Sequence, residues 1–154
     1  MKPLPADAVP EETDEKVRAI AHAFATALDQ NDFDRVISLL SPNCRYELTN
    51  SASASERVLV GPAAIVESYR WHDARARAAF DRVEYSNSIE GVHATTAAIR
   101  FTDVLEKNGD SHTYNCRQPI TVNEADAICR IVQEDIPEEK AAVREFMKRV
   151  GVQL

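Results

Sequence analysis

The hydrophobic period of this 154-residue chain changes once, near residue 82, and that change constrains its fold more than any other feature. Before it, Val17, Ile20, Ala21, Phe24 and Leu28 recur at helical spacing, and Pro10, Glu11 and Glu12 open that first helix. Asn31 and Asp32 break it, and Phe33, Val36, Ile37 and Leu40 make a short second helix stopped before Pro42. Cys44 to Thr49 and Val58 to Val60 read as short strands. Pro62 suits the first turn of a third helix, whose apolar face is Ile65, Tyr69, His72, Ala76 and Phe80. After the change the period is two, over Arg82 to Ile89, His93 to Glu106, Ser111 to Val122 and Ala127 to Ile136. Turns are expected at Glu90-Gly91, Asn108-Gly109 and Asn123 to Asp126; Asn-Gly is a hairpin signal because both central residues of a type I′ turn need positive φ. Pro137, Glu138 and Glu139 then open a last helix with Val143, Phe146, Met147 and Val150 on one face and Gly151 as its stop. Helices followed by an antiparallel meander predict an α+β domain over 14–136, with a flexible N-terminal tail over 1–13 and a C-terminal amphipathic helix over 137–154.

Charge and composition exclude several functions. Eighteen Lys plus Arg against twenty-five Asp plus Glu leave a formal charge of -7, so a basic stripe for nucleic acid or an anionic membrane is not expected. Gly61, Gly91, Gly109 and Gly151 are too dispersed for a phosphate-cradling loop. Cys44, Cys116 and Cys129 lack C-x-x-C spacing and read as buried free thiols. His22 and His93 lack metal-ligand spacing, so neither metal nor cofactor is expected. The first twelve residues look like neither signal peptide nor anchor, and no run nears the ~18 apolar residues of a membrane span, which predicts a cytoplasmic protein.

The Asn108-Gly109 turn sets a register. It pairs Lys107 with Asp110, Asp103 with Tyr114 and Phe101 with Cys116, and puts Ala97, Ile99, Phe101, Asp103 and Leu105 on one face with His112, Tyr114, Cys116, Gln118, Ile120 and Val122. Pairing Val122 with Ala127 adds Cys129, Ile131, Gln133 and Asp135 to this inner face, so that Asp103, Tyr114 and Asp135 form one cross-strand row. An acid among Ile99, Phe101 and Leu105 loses solvation, which raises its pKa and suits proton transfer. The other reading is a structural acid bonded to Tyr114, or one in water at the sheet end. Trp71-His72-Asp73 is a second polar cluster. His72 is either a further acid or base or a satisfied core histidine, and Trp71 lines the pocket mouth or packs under the first helix. Arg100 faces Arg117 on the outer face, a like-charge pair that Glu134 or a dimer partner's acid would neutralise.

The pieces Asn31-Asp32-Phe33-Asp34, Leu40-Ser41-Pro42-Asn43-Cys44-Arg45-Tyr46 and Gly61-Pro62-Ala63-Ala64-Ile65, followed by the meander, resemble the nuclear-transport-factor-2-like superfamily, and most of all its SnoaL-like branch. At greater distance they are similar to ketosteroid isomerases and limonene-epoxide hydrolases. The resemblance spans roughly 14–136 and implies a curved antiparallel sheet with N-terminal helices around a cone-like pocket (a cystatin-like α+β roll), and a homodimer through the outer sheet face. Epoxide hydrolases of this fold use an Arg-x-Asp and a second Asp on the last strand. Asp103 matches the first acid, Arg100 stands three residues before it on the opposite face, and Gln133 takes the place of the second, with Asp135 two positions on. The glycine and histidine pattern of SnoaL-like cyclases is missing from Thr113 to Val122.

The functional expectation is a pocket for a small, largely apolar molecule, lined by Tyr46, Tyr69, Trp71, Phe101, Cys116, Gln118 and Gln133. As an isomerase, cyclase or hydrolase it would use Asp103 as base or acid, Tyr114 to orient it and to donate a hydrogen bond to an oxyanion, and His72 or Asp135 as second proton carrier. The alternative is a non-catalytic ligand-binding or dimeric interaction module.

Overall fold

The computed structural model describes residues 11–48 and 58–154; most of the expected tail, and the segment 49–57 that includes the end of the first expected strand, lie outside the described residues. α1 (Glu11–Asp29) opens on Glu11, Glu12 and Asp14, acids that suit the positive end of a helix, and buries Val17, Ala21 and Phe24 as the periodicity predicts. Asn31 takes a φ of 56°, which turns the chain. Asp32 then caps α2 (Phe33–Leu39) by accepting a hydrogen bond from the Arg35 backbone N–H at 3.3 Å. The chain passes directly into β1 (Leu40–Leu48), which is followed among the described residues by β2 (Val58–Val60) and α3 (Pro62–Ala79). The meander is β3 (Arg82–His93), β4 (Thr96–Lys107), β5 (Asp110–Val122) and β6 (Ile128–Gln133), and α4 (Pro137–Val150) follows.

The strand order is β2-β1-β6-β5-β4-β3, with β1 parallel to β6 and the other pairs antiparallel. This overturns the cone-like pocket of a curved antiparallel sheet. The sheet is mixed and open, neither closed nor strongly curled, with β2 and β3 as its edges. The physical reason lies in the connections. Short turns force antiparallel neighbours within the meander, but no short turn joins β1 to β6, so β1 adds to the free edge of β6 in the parallel sense.

The β4–β5 register is the one the Asn-Gly turn dictates, with Lys107 opposite Asp110, Asp103 opposite Tyr114 and Phe101 opposite Cys116. Two other joints differ from expectation. The β3–β4 turn is Ala94-Thr95, with Ala94 at a φ of 53°, and Gly91 instead marks a register shift inside β3. Asn123 closes the β5–β6 turn by accepting the Ala125 and Ala127 N–H groups at 3.0 Å each. A register shift beyond Thr121 then pairs Ile120 with Ile131, and β6 ends at Gln133 rather than Ile136. Asp135 therefore does not stand opposite Tyr114.

The main core lies between α1, α3 and the inner sheet face, where Phe24, Ile65, Ile99, Ile120 and Ile131 are fully buried. A second cluster joins Phe80, Val83 and Leu105 to Phe146, Val150 and Val152, so α4 packs on its own sheet. On the outer face Arg100 does oppose Arg117. The neutralising acid is Glu90 of β3, which accepts from Arg117 Nε at 2.7 Å, while Arg100 Nε donates to Asn115 Oδ1 at 3.3 Å. Glu134, the expected partner, meets Arg117 through two backbone hydrogen bonds.

Candidate functional site

An open cavity of about 970 Å³ lies over the inner sheet face, bounded by the end of α1, by α3 and by α4. All eleven side chains expected from the sequence line it: Tyr46, Tyr69, Trp71, His72, Phe101, Asp103, Tyr114, Cys116, Gln118, Gln133 and Asp135. They line it in different ways. Asp103 projects from the middle of β4, with Tyr85 opposite it on β3 and Tyr114 opposite it on β5. Among the described residues no hydrogen bond or cation reaches its carboxylate, and Tyr114 therefore does not orient it. Burial, and after it the charge of Asp29, pushes the Asp103 carboxyl up to about 7. Asp29, at the end of α1, is itself raised by burial, partly offset by the hydrogen bond it accepts from Asn87 Nδ2 at 2.5 Å.

Asp135 is a different kind of acid. Its carboxylate is held by Lys140 Nζ at 2.9 Å and accepts from Gln133 Nε2 at 3.2 Å. An acid locked into an ion pair is a poor proton carrier. From it a hydrogen-bond chain runs inward: Gln118 Nε2 donates to Gln133 Oε1 at 2.6 Å, and the Tyr69 hydroxyl donates to Gln118 Oε1 at 2.8 Å. Burial raises the Tyr69, Tyr46 and Tyr114 phenols above their ordinary range. It also pushes the Cys116 thiol up to about 12, which removes Cys116 as a nucleophile near neutral pH. All three cysteines are free thiols.

His72 is exposed, with its ring 4.9 Å from Trp71, and Trp71, 52% exposed, carries the Arg75 guanidinium over its ring at 4.4 Å. Both belong to the rim. The inward polar residue of α3 is Asp73, which accepts from the Tyr85 hydroxyl at 2.7 Å, from Arg77 Nε at 3.0 Å and from Asn31 Nδ2 at 3.1 Å. Sequence reasoning missed Asp29, Asp73, Tyr85 and Lys140. Asp73 was within reach, since it is four residues after Tyr69 and shares its stripe. Tyr85 was hidden by the misplaced turn at Glu90-Gly91, which blocked extension of the register from β4 to β3. Among the described residues no group of three or more His, Cys, Asp or Glu is placed to hold a metal ion. No described helix is long and apolar enough to cross a membrane.

No family model matches the chain, and no curated protein matches it in sequence. Solved structures do match in fold. An LEH-like epoxide hydrolase of M. tuberculosis superposes with a TM-score of 0.62 at 19% identity, covering 92% of this chain and 98% of that one. A Xanthomonas campestris protein classed with the polyketide cyclases gives 0.61 at 13% identity over 84% and 97% of the two chains. A Kribbella flavida protein classed with the ketosteroid isomerases gives 0.60 at 18% identity over 78% and 77%. The chain therefore shares the fold of these three structures, with a cavity on the inner face of its sheet. Likeness at this identity is one of architecture, and function has to be argued from the side chains.

Proposed function

We propose that the chain is an enzyme that moves a proton on a small, largely apolar molecule held in this cavity, with Asp103 as the proton carrier. One observation carries the reading: Asp103 faces the cavity between two tyrosines, without a cation or hydrogen bond among the described residues, where burial pushes its carboxyl up to about 7. A carboxyl of that kind takes up and releases a proton at working pH. The Tyr114 hydroxyl, which makes no hydrogen bond among the described residues, is the donor for an oxyanion formed beside it. Asp29, the second cavity acid raised by burial, replaces Asp135 and His72 as second proton carrier. Proton abstraction beside a carbonyl, cyclisation and epoxide opening all fit these roles, and the three structural neighbours are classed with such activities.

Carboxyl-carbon NMR of the labelled protein tests the premise; Asp103 should titrate near 7, and a midpoint near 4 removes the reading. Screening turnover of steroid, polyketide-like and terpenoid ketones, lactones and epoxides then tests the chemistry. Asp103→Asn should abolish any turnover found while leaving the fold intact. Ligand binding indifferent to that substitution, with no turnover, would favour a binding module. A homodimer through the outer sheet face belongs to the same proposal, and a protomer mass by light scattering at micromolar concentration would remove the dimer without touching the site.

A further inference from the structure

We infer that Gln118 anchors the ligand, donating its second amide N–H to an acceptor oxygen of carbonyl type, and that Asp135 and Lys140, which line the same cavity, are positioning residues that fix this polarity. The inference deepens the small-molecule reading and rests on it. It starts from donor and acceptor bookkeeping. A carboxylate paired with an ammonium group only accepts, whereas an amide has one accepting oxygen and one nitrogen with two protons.

Asp135, held by Lys140 Nζ at 2.9 Å, must be met by a donor, so Gln133 presents Nε2 to it at 3.2 Å. Gln133 Oε1 is then left to face Gln118, which presents Nε2 at 2.6 Å, and Gln118 Oε1 accepts from the Tyr69 hydroxyl at 2.8 Å. The ion pair between Asp135 and Lys140 of α4 thus sets the orientation of both amides. Gln118 is only 6% exposed and lines the cavity. Its Nε2 makes a single hydrogen bond among the described residues, which uses one of two protons. Ile99 stands opposite it, and Cys116 and Ile120 flank it on the same face of β5, two alkyl groups and a thiol. An enclosed N–H in such surroundings is costly to leave unmatched, and an acceptor entering from the cavity removes that cost. The four steps from Tyr114 to Gln118 span ~13 Å along the strand, so a ligand with its oxygen on Gln118 and its reacting carbon at Asp103 is a molecule of two or three rings.

The experiment compares 2-acetylnaphthalene with 2-isopropenylnaphthalene, which has the same shape and no oxygen, by thermal-shift titration at pH 8.5. The wild type should bind the ketone about tenfold more tightly than the hydrocarbon, the usual worth of one enclosed hydrogen bond. Gln118→Met should bring the ratio to about one. Asp135→Asn should lower it, because an asparagine can donate and lets the amides reverse. Asp103→Asn should leave the ratio unchanged. Equal binding of the two compounds by the wild type, or a preference that survives Gln118→Met, overturns the inference. A preference abolished by Asp103→Asn and untouched by Gln118→Met places the oxygen at Asp103, which overturns the inference and leaves the proton-transfer reading standing. Failure of both compounds to bind overturns the inference together with the small-molecule reading.

Discussion

Asp103 has a cost in stability that follows from the same burial that suits it to chemistry. Its folded-state pKa lies above the unfolded one, about 7 against 3.8, so the folded state holds the proton more tightly than the unfolded state does. Stability is therefore full below pH 4 as far as this group is concerned, falls as pH rises from 4 to 7, and is flat above. Asp103→Asn removes the ionisation, and should make the protein more stable above pH 7, by at most about 4 kcal/mol at about 1.4 kcal/mol per pKa unit. That gain should vanish toward pH 4. Urea titrations at pH 4.5 and pH 8 measure the difference, and an equal effect at both would mean that Asp103 is solvated. The residues of the site were legible to the extent that strand parity decides them. Tyr114, Cys116 and Gln118 face inward because Asn108-Gly109 places the hairpin. His72 and Asp73 show the opposite case. A helix turns about 100° per residue, so the choice between adjacent positions depends on how α3 is rolled against the sheet.

At the scale of elements, α4 is held by one aromatic stack. Phe146 is fully buried, 6.2 Å from the Phe80 ring at an interplanar angle of 12°, and 5.2 Å from His112. Phe146→Ala should cost about 3–5 kcal/mol in global unfolding or detach α4, which chemical denaturation combined with amide exchange of 137–150 will distinguish. Because Lys140, Val143 and Met147 line the cavity, detachment should also weaken any ligand. The β4–β5 hairpin depends on its turn. Gly109 has a φ of 81°, and Gly109→Ala should cost about 1 kcal/mol by forcing a side chain into that region. Denaturant midpoints check it, and an unchanged midpoint would show that the turn relaxes. The elements themselves were largely readable, since period, proline position and turn residues are local. The Glu90-Gly91 turn was misplaced because glycine serves a register shift in a strand as well as it serves a turn.

An open sheet exposes two edges, and the molecule protects them differently. β2 is only three residues long, which offers little to pair with. β3 is twelve residues long and carries exposed Arg82, Glu84 and Glu90, with Arg82 and Glu84 paired to each other. Replacing Arg82 and Glu84 together by valine should leave monomer stability within about 1 kcal/mol while promoting association, since charges on an edge strand discourage strand addition. Light scattering during storage at 37 °C checks this, and a variant that stays as dispersed as the wild type would show that the Gly91 bulge protects the edge instead.

Amino-acid order alone determined the α+β class, the order of helices and strands and the β4–β5 hairpin register, because each depends on contacts within a few residues; Leu40, expected on the second helix, instead opens β1. Tertiary structure alone decided that β1 runs parallel to β6, that the sheet stays open, and that Asp135 is spent on Lys140 rather than set beside Tyr114. Those outcomes depend on which distant edge a strand finds and on a one-residue register shift between Thr121 and Val122, beyond which Ile128 enters the core. No local pattern encodes either, since the period of a strand does not say where its pairing with a neighbour will slip.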